Sequence, residues 1–105
     1  MNTTFGEYIR LLRNKSELTL TQLAAKLNLD SANLSKIENG KRDFDEKRLP
    51  QLSEIFGLNL KELRNEYVTD QIGKKIYETN CTKQLLVVAE EKAEYRRTLN
   101  KEKAL

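Results

Sequence analysis

At 105 residues, with 38% hydrophobic and 33% charged residues, the chain is long enough for one compact domain with an appendage, and it suits a helical protein with much exposed surface. It has no His and one cysteine, Cys81, which excludes an intramolecular disulfide, a multi-cysteine metal site and His-based acid–base chemistry. The net charge of +3 agrees with a nucleic-acid partner but does not by itself identify one.

The sequence contains no sign of a membrane segment or of a secretory signal. No stretch approaches the roughly 18 to 20 continuous apolar residues of a membrane span. The first residues, MNTT, lack the basic region and apolar core of a signal peptide. We therefore expect a cytoplasmic protein with no membrane partner.

The N-terminal third predicts two short helices. Thr4 can cap the first, in which Phe5, Ile9 and Leu12 repeat with helical period. Residues 19–22, TLTQ, have the form of a capping box and begin the second. The second helix buries Leu23, Ala24 and Leu27.

A tight turn and a third helix follow. Asn28 is placed in the turn, where a residue that tolerates positive φ is needed. Asp30 is a good N-cap, and Leu34 and Ile37 face inward at i and i+3. Gly40 can end this helix in the left-handed conformation.

The rest of the chain predicts further helices joined by short connections. Residues 41–46 form a polar connection, residues 48–56 a fourth helix, and residues 58–63 a fifth short one. Beyond Tyr67, Asp70 can cap another helix, and a longer one runs over residues 82–100.

Four short sequence motifs in this pattern also resemble those of a known family. They are IRLLR at 9–13, LTLTQLA at 18–24, LSKIENGKR at 34–42, and the segment 52–63. Together they resemble the Cro and phage-repressor class of helix-turn-helix regulators, also called the xenobiotic-response-element class. This resemblance implies an all-α, five-helix, lambda-repressor-like DNA-binding domain over residues 1–66, with a C-terminal helical dimerisation extension over residues 67–105.

The third helix is the expected reading element for double-stranded DNA. Its N-terminal part would enter the major groove, so the side chains expected to meet base edges are Ser31, Ala32, Ser35 and Lys36. Lys36 is the strongest candidate, because a long donor there can reach the guanine O6 and N7 acceptors. Ala32 stands near a position where many relatives carry a longer polar side chain. Residues expected to contact the phosphate backbone are Gln22, Asn33, Asn39, Gly40, Lys41 and Arg42.

The resemblance gives two other motif residues a structural role. In relatives, the positions of Arg13 and Glu38 join the first and third helices by a largely buried ion pair. An anionic Glu38 would repel phosphate, which also argues against DNA contact. On charge alone, the cations Lys36, Lys41 and Arg42 would be interpreted as a solvated helical surface. The surrounding helix-turn-helix pattern reverses that interpretation.

The tail is the expected dimerisation element. The run from Leu85 to Ala89 is apolar on more than one side, which is hard to cover within so small a monomer. A homodimer would let one protein read two half-sites of a near-palindrome, about one helical turn apart. The residues expected near the interface are Ile72, Ile76, Leu85, Val88 and Ala89.

The function predicted from these features is a sequence-specific transcription regulator, a repressor or autoregulator, and in a narrower version the controller protein of a restriction-modification operon. An antitoxin-type protein whose tail binds a protein partner is the alternative, and a purely structural helical bundle is the third class. The sequence offers no nucleophile–base pair and no phosphate-binding Gly loop, so we expect no enzyme activity, no cofactor and no metal.

Overall fold

The computed structural model describes the backbone of residues 2–104 and the side chains of residues 2–101. Over this range the protein is helical and contains no β-strand, so the all-α prediction is confirmed. The helices are α1 (Phe5–Lys15), α2 (Leu20–Lys26), α3 (Ser31–Glu38), α4 (Leu49–Phe56), α5 (Leu60–Glu78) and α6 (Lys83–Ala104), with a 3₁₀ turn (Glu46–Arg48) before α4.

Side-chain caps explain where the first three helices begin. Thr4 and Thr19 each begin a capping box. The box at Thr19 was predicted from the sequence TLTQ at residues 19–22. In that box Gln22 N donates to Thr19 Oγ1 at 3.1 Å, and Thr19 N donates to Gln22 Oε1 at 2.9 Å. Asp30 Oδ1 accepts from Asn33 N at 2.7 Å. Each cap satisfies amides that a helix start leaves open, which typically stabilises by about 1 kcal/mol.

Two residues in the left-handed conformation flank α3. Asn28, in the turn between α2 and α3, has φ 55°, and Gly40, just past α3, has φ 75°. Both conformations match the prediction from residue type. The Gly40 amide donates to Ile37 O at 3.1 Å, which closes the last turn of α3. The chain therefore leaves the third helix in a defined direction.

The core of the first compact unit, which ends at Gln71, lies between α1 to α4 and the start of α5. One core residue, Phe44, comes from the connection that the sequence predicts to be polar, and it is 3% exposed. Its ring lies 5.7 Å from that of Phe5, and its carbonyl accepts from the Tyr67 hydroxyl at 2.9 Å. The other buried apolar residues are Phe5, Ile9, Leu23, Ala24, Leu27, Leu34, Ile37, Leu49, Leu52 and Leu63.

The structure corrects the prediction for the segment after α4. The sequence predicts a short helix ending near residue 63 and a separate helix capped by Asp70, but one continuous helix, α5, covers both. Residues 64–69 contain no Pro or Gly to end it, and Thr69 Oγ1 donates to Asn65 O at 2.7 Å as a residue inside a helix does. Asp70 therefore lies within α5, as does the expected boundary between residues 66 and 67.

Candidate nucleic-acid interface

Helix α3 has one buried side and one exposed side. Leu34, Ile37 and Glu38 are buried. The opposite side, which we call the recognition face, consists of Ser31, Ala32, Ser35 and Lys36; all are exposed except Ser35, which is partly buried. Their spacing at i, i+1, i+4 and i+5 makes one continuous stripe on a helix. The stripe offers two hydroxyls, one methyl group and one ammonium group to a ligand.

The buried side of α3 lies close against α1. A Cβ atom added to Gly6 would lie 2.2 Å from the Ile37 carbonyl oxygen and 3.0 Å from that of Glu38. Only a residue without a side chain permits this approach, because the obstacle is backbone. The close approach at Gly6 was not predicted from the sequence. A glycine in the first turn of a helix, where Ala would be about 1 kcal/mol better, was the available signal.

A buried ion pair joins the same two helices. Arg13 Nε lies 2.8 Å from Glu38 Oε2, and a second guanidinium nitrogen lies 3.0 Å from Oε1. Arg13 also donates to Leu18 O at 3.0 Å, at the end of the α1–α2 connection. The Glu38 side chain is 2% exposed. Arg13 donates a hydrogen bond to Glu38, and this bond raises the pKa of Arg13 above the usual arginine value. Burial of Arg13 has the opposite, smaller effect on its pKa.

A second arginine, to which no role was assigned from the sequence, contacts the same carboxylate. Arg10 Nε lies 3.3 Å from Glu38 Oε1, and another of its nitrogens donates to Asn39 Oδ1. Its side chain is 41% exposed. Two guanidinium groups (+2) and one carboxylate (−1) leave a net charge of +1 at the C-terminal end of α3. The spacing of Arg10 and Arg13 at i and i+3, which puts both on one side of α1, was the available signal.

At the other end of α3, a side-chain network engages Asn33 and Arg42, both expected to contact phosphates. Asn33 Nδ2 donates to Asp30 Oδ2 at 3.1 Å. An Arg42 nitrogen donates to Asn33 Oδ1 at 2.8 Å. Asn33 therefore holds Arg42 beside the first turn of α3, and Arg42 itself is exposed.

The remaining expected phosphate contacts lie at helix ends. Gln22 is exposed at the start of α2, where its Oε1 is engaged in the capping box. Asn39, Gly40 and Lys41 are exposed after α3, and the Lys41 amide donates to Lys36 O at 2.8 Å. This backbone bond keeps the Lys41 residue next to the last turn of the helix.

The second compact unit begins at Ile72 and contains the side chains expected at a dimer interface. Ile72 and Leu85 are each 54% exposed and Val88 is 45% exposed. Ala89 is also exposed, whereas Ile76 is partly buried. On α6, Leu85, Val88 and Ala89 share one side because they stand at i, i+3 and i+4.

Residues 6–67 match a sequence family described as Helix-turn-helix domain, a span that contains the recognition face and the Arg13–Glu38 pair. The chain belongs to this family. The match covers more than half of the chain, and it confirms the resemblance indicated by the sequence motifs in residues 9–63.

Curated relatives give this family assignment a functional class. The chain is 35% identical over 118 residues to the HTH-type transcriptional repressor RghR of Bacillus subtilis (strain 168), an alignment that covers 97% of this chain and 84% of that protein. It is 38% identical over 60 residues to the control protein C.MunI of a Mycoplasma species, covering 56% and 81% of the two chains. A shorter match, 53% over 38 residues, is to the uncharacterized HTH-type transcriptional regulator RghRB of Bacillus subtilis (strain 168), and it covers 36% of this chain and 27% of that protein.

These relatives make the chain a member of a family of helix-turn-helix transcriptional regulators. No solved structure shows a significant match to it. Among the helices of residues 2–104, none combines the length and the apolar content that a membrane crossing requires.

Proposed function

We propose that the protein is a sequence-specific transcriptional repressor that binds a near-palindromic operator as a homodimer and regulates its own promoter. The observation that carries this proposal is the recognition face: four adjacent side chains without partners in the core, on a helix whose other side is fixed by Gly6 and by the Arg13–Glu38 pair. Such a helix can enter the major groove without reorganisation of the domain.

The proposed contacts divide into those that read bases and those that hold phosphates. On the recognition face, Lys36 donates to guanine O6 and N7, the serines reach base edges, and Ala32 meets a thymine methyl group. The phosphate-binding set consists of Gln22, Asn33, Asn39, Gly40, Lys41 and Arg42. Asn33 accepts a hydrogen bond from Arg42 at 2.8 Å, so we assign to Asn33 the role of orienting the Arg42 guanidinium toward the DNA phosphates.

The repressor role has more support than the controller role. Similarity to the repressor extends over 97% of this chain, tail included, whereas similarity to the control protein covers 56% of it. A gel shift with DNA from upstream of the protein's own gene tests the proposal. We expect binding that random-sequence competitor does not remove. Equal competition by random DNA would reject a sequence-specific regulator.

Two lysines allow base reading and phosphate binding to be separated. Lys36→Ala is expected to reduce the preference for the selected operator over its variants by about 1 to 3 kcal/mol at one base pair, because one base contact is lost. Lys41→Ala should weaken binding to all sequences and reduce the slope of log K against log salt by about one. Fluorescence anisotropy over a salt series measures both effects. A uniform loss for Lys36→Ala would contradict its assignment.

The homodimer is proposed from the exposed apolar side of α6. Val88→Lys places a charge in the expected interface and should move the dimer–monomer equilibrium at least tenfold toward monomer in analytical ultracentrifugation. Val87→Lys is the matched control, because Val87 is 58% exposed on the same helix but lies outside the expected set. A wild-type monomer at micromolar concentration, or an equal loss of dimer in both variants, would reject this interface.

A further inference from the structure

A chain of side-chain hydrogen bonds runs from the buried ion pair to the recognition face. It begins at Glu38, whose carboxylate accepts from Arg10 Nε at 3.3 Å. Arg10 continues it by donating to Asn39 Oδ1, and Asn39 Nδ2 lies 3.4 Å from Ser35 Oγ. Because Glu38 is buried and also held by Arg13, the first member of the chain is fixed. The last member, Ser35, is a residue proposed to meet base edges.

The donors and acceptors along this chain determine where the hydroxyl hydrogen of Ser35 points. A guanidinium group has donors and no acceptor, so the Asn39 amide must turn its oxygen toward Arg10. The same orientation turns the Asn39 NH₂ group toward Ser35, whose oxygen then accepts. The single hydroxyl hydrogen of Ser35 is left for another partner. With the amide reversed, Ser35 would donate to Asn39 and offer DNA only an acceptor.

We propose that Arg10 and Asn39 are positioning residues that make Ser35 a hydrogen-bond donor toward DNA. The inference rests on the proposed function, because it requires the recognition face to lie in the major groove. Ser35 can then donate to an acceptor on the base edge that faces it, namely guanine O6 or N7, adenine N7 or thymine O4, whereas a Ser35 that only accepts could pair only with the amino groups of cytosine and adenine. Arg10, a residue of α1, thus contributes to sequence preference although it lies outside α3.

The test uses the full chain and DNA that the wild-type protein selects from a random-sequence pool. Binding of Ser35→Ala to single-base-pair variants of that DNA identifies the pair that Ser35 reads, and Lys36→Ala identifies a second pair as internal control. Discrimination at a pair is the ratio of Kd for the substituted duplex to Kd for the selected duplex. This ratio cancels losses of affinity that are the same for all sequences.

Asn39→Asp is the decisive variant. The carboxylate keeps its partner Arg10 but can only accept, so it takes the hydroxyl hydrogen of Ser35. We expect weaker binding to every duplex from the added negative charge, and in addition a loss of discrimination at the Ser35 pair of about 2- to 10-fold, the net worth of one hydrogen bond. Arg10→Met, which frees the amide to reverse, should reduce the same ratio. Discrimination at the Lys36 pair should be unchanged in both.

A merely structural role would lower the melting temperature or the affinity for all duplexes and leave the ratio at the Ser35 pair unchanged. That result in both Asn39→Asp and Arg10→Met would overturn the inference, as would base preferences that Ser35→Ala does not alter. In either case the proposed function would stand. Failure of the wild-type chain to enrich any sequence over the random pool would overturn the proposed function and the inference together. In the Ser35→Ala background, Asn39→Asp should cause no further loss of discrimination at the base pair that Ser35 reads.

Discussion

Arg13→Ala is expected to lower the free energy of unfolding by about 3 to 5 kcal/mol, because it leaves Glu38 buried without its main partner. The lost contacts are the two bonds from the guanidinium to the carboxylate, at 2.8 and 3.0 Å, and the bond to Leu18 O. Small domains are stable by about 5 to 15 kcal/mol, so this loss is a large part of the total free energy of unfolding. Urea denaturation followed by circular dichroism measures the change.

Arg10→Ala is the matched control for this prediction. It removes another guanidinium from the same carboxylate, but the side chain is 41% exposed and the Arg13 bonds remain. A partly solvated ion pair of this kind is worth about 1 kcal/mol or less. Equal urea midpoints for Arg13→Ala and the wild type would show that the buried pair does not stabilise the domain. DNA-binding assays on Arg13 variants are therefore informative only after folding has been checked.

Gly6→Ala is expected to destabilise the protein by about 3 kcal/mol, at the upper end of the usual cost of overpacking. The added methyl carbon would lie 2.2 Å from the Ile37 carbonyl oxygen, and backbone cannot rotate away as a side chain can. Either α1 and α3 separate, or the last turn of α3 distorts. Both outcomes also disturb the end of the recognition helix, so a lower melting temperature and weaker DNA binding should occur together.

Gly73→Ala provides the opposite expectation. Gly73 also lies within a helix, α5, but a Cβ atom there would meet nothing within 4 Å. Replacing a helical glycine without a clash should be neutral or stabilising by up to about 1 kcal/mol. Thermal unfolding of both variants tests the distinction. If the Gly6 variant were as stable as the Gly73 variant, the close approach of α1 to α3 would be wrong.

Local chemistry made much of the fold predictable from the sequence. The capping box at Thr19, the N-cap Asp30 and the left-handed conformations of Asn28 and Gly40 depend on residues within a few positions of each other. The buried face of α3 was predictable for the same reason, because Leu34 and Ile37 repeat with helical period. The side of α3 that is left exposed follows from the buried one.

The features that escaped prediction depend on contacts between distant segments. Phe44 stands among charged neighbours, and its burial is evident only once Phe5 and Tyr67 lie beside it. The contact between Arg10 and Asn39 joins residues 29 positions apart, so the neighbours of neither residue indicate it. The continuity of α5 was missed because Asp70 is a good N-cap residue. The signal against a new helix start was that residues 64–69 contain no Pro or Gly to end the preceding helix.

The left-handed turn at Gly40 also affects how readily Asn39 is deamidated. An Asn followed by Gly loses its side-chain amide readily, because the next backbone nitrogen can attack the amide carbon when no side chain hinders it. In the folded protein that nitrogen donates to Ile37 O at 3.1 Å, and the attack requires this bond to break. Deamidation of Asn39 should therefore proceed mainly from unfolded molecules. It releases ammonia and forms a cyclic imide, whose hydrolysis leaves either aspartate or its β-linked isomer at this position. In old or heat-stressed preparations, the deamidated molecules that carry aspartate would fold and bind DNA with altered preference.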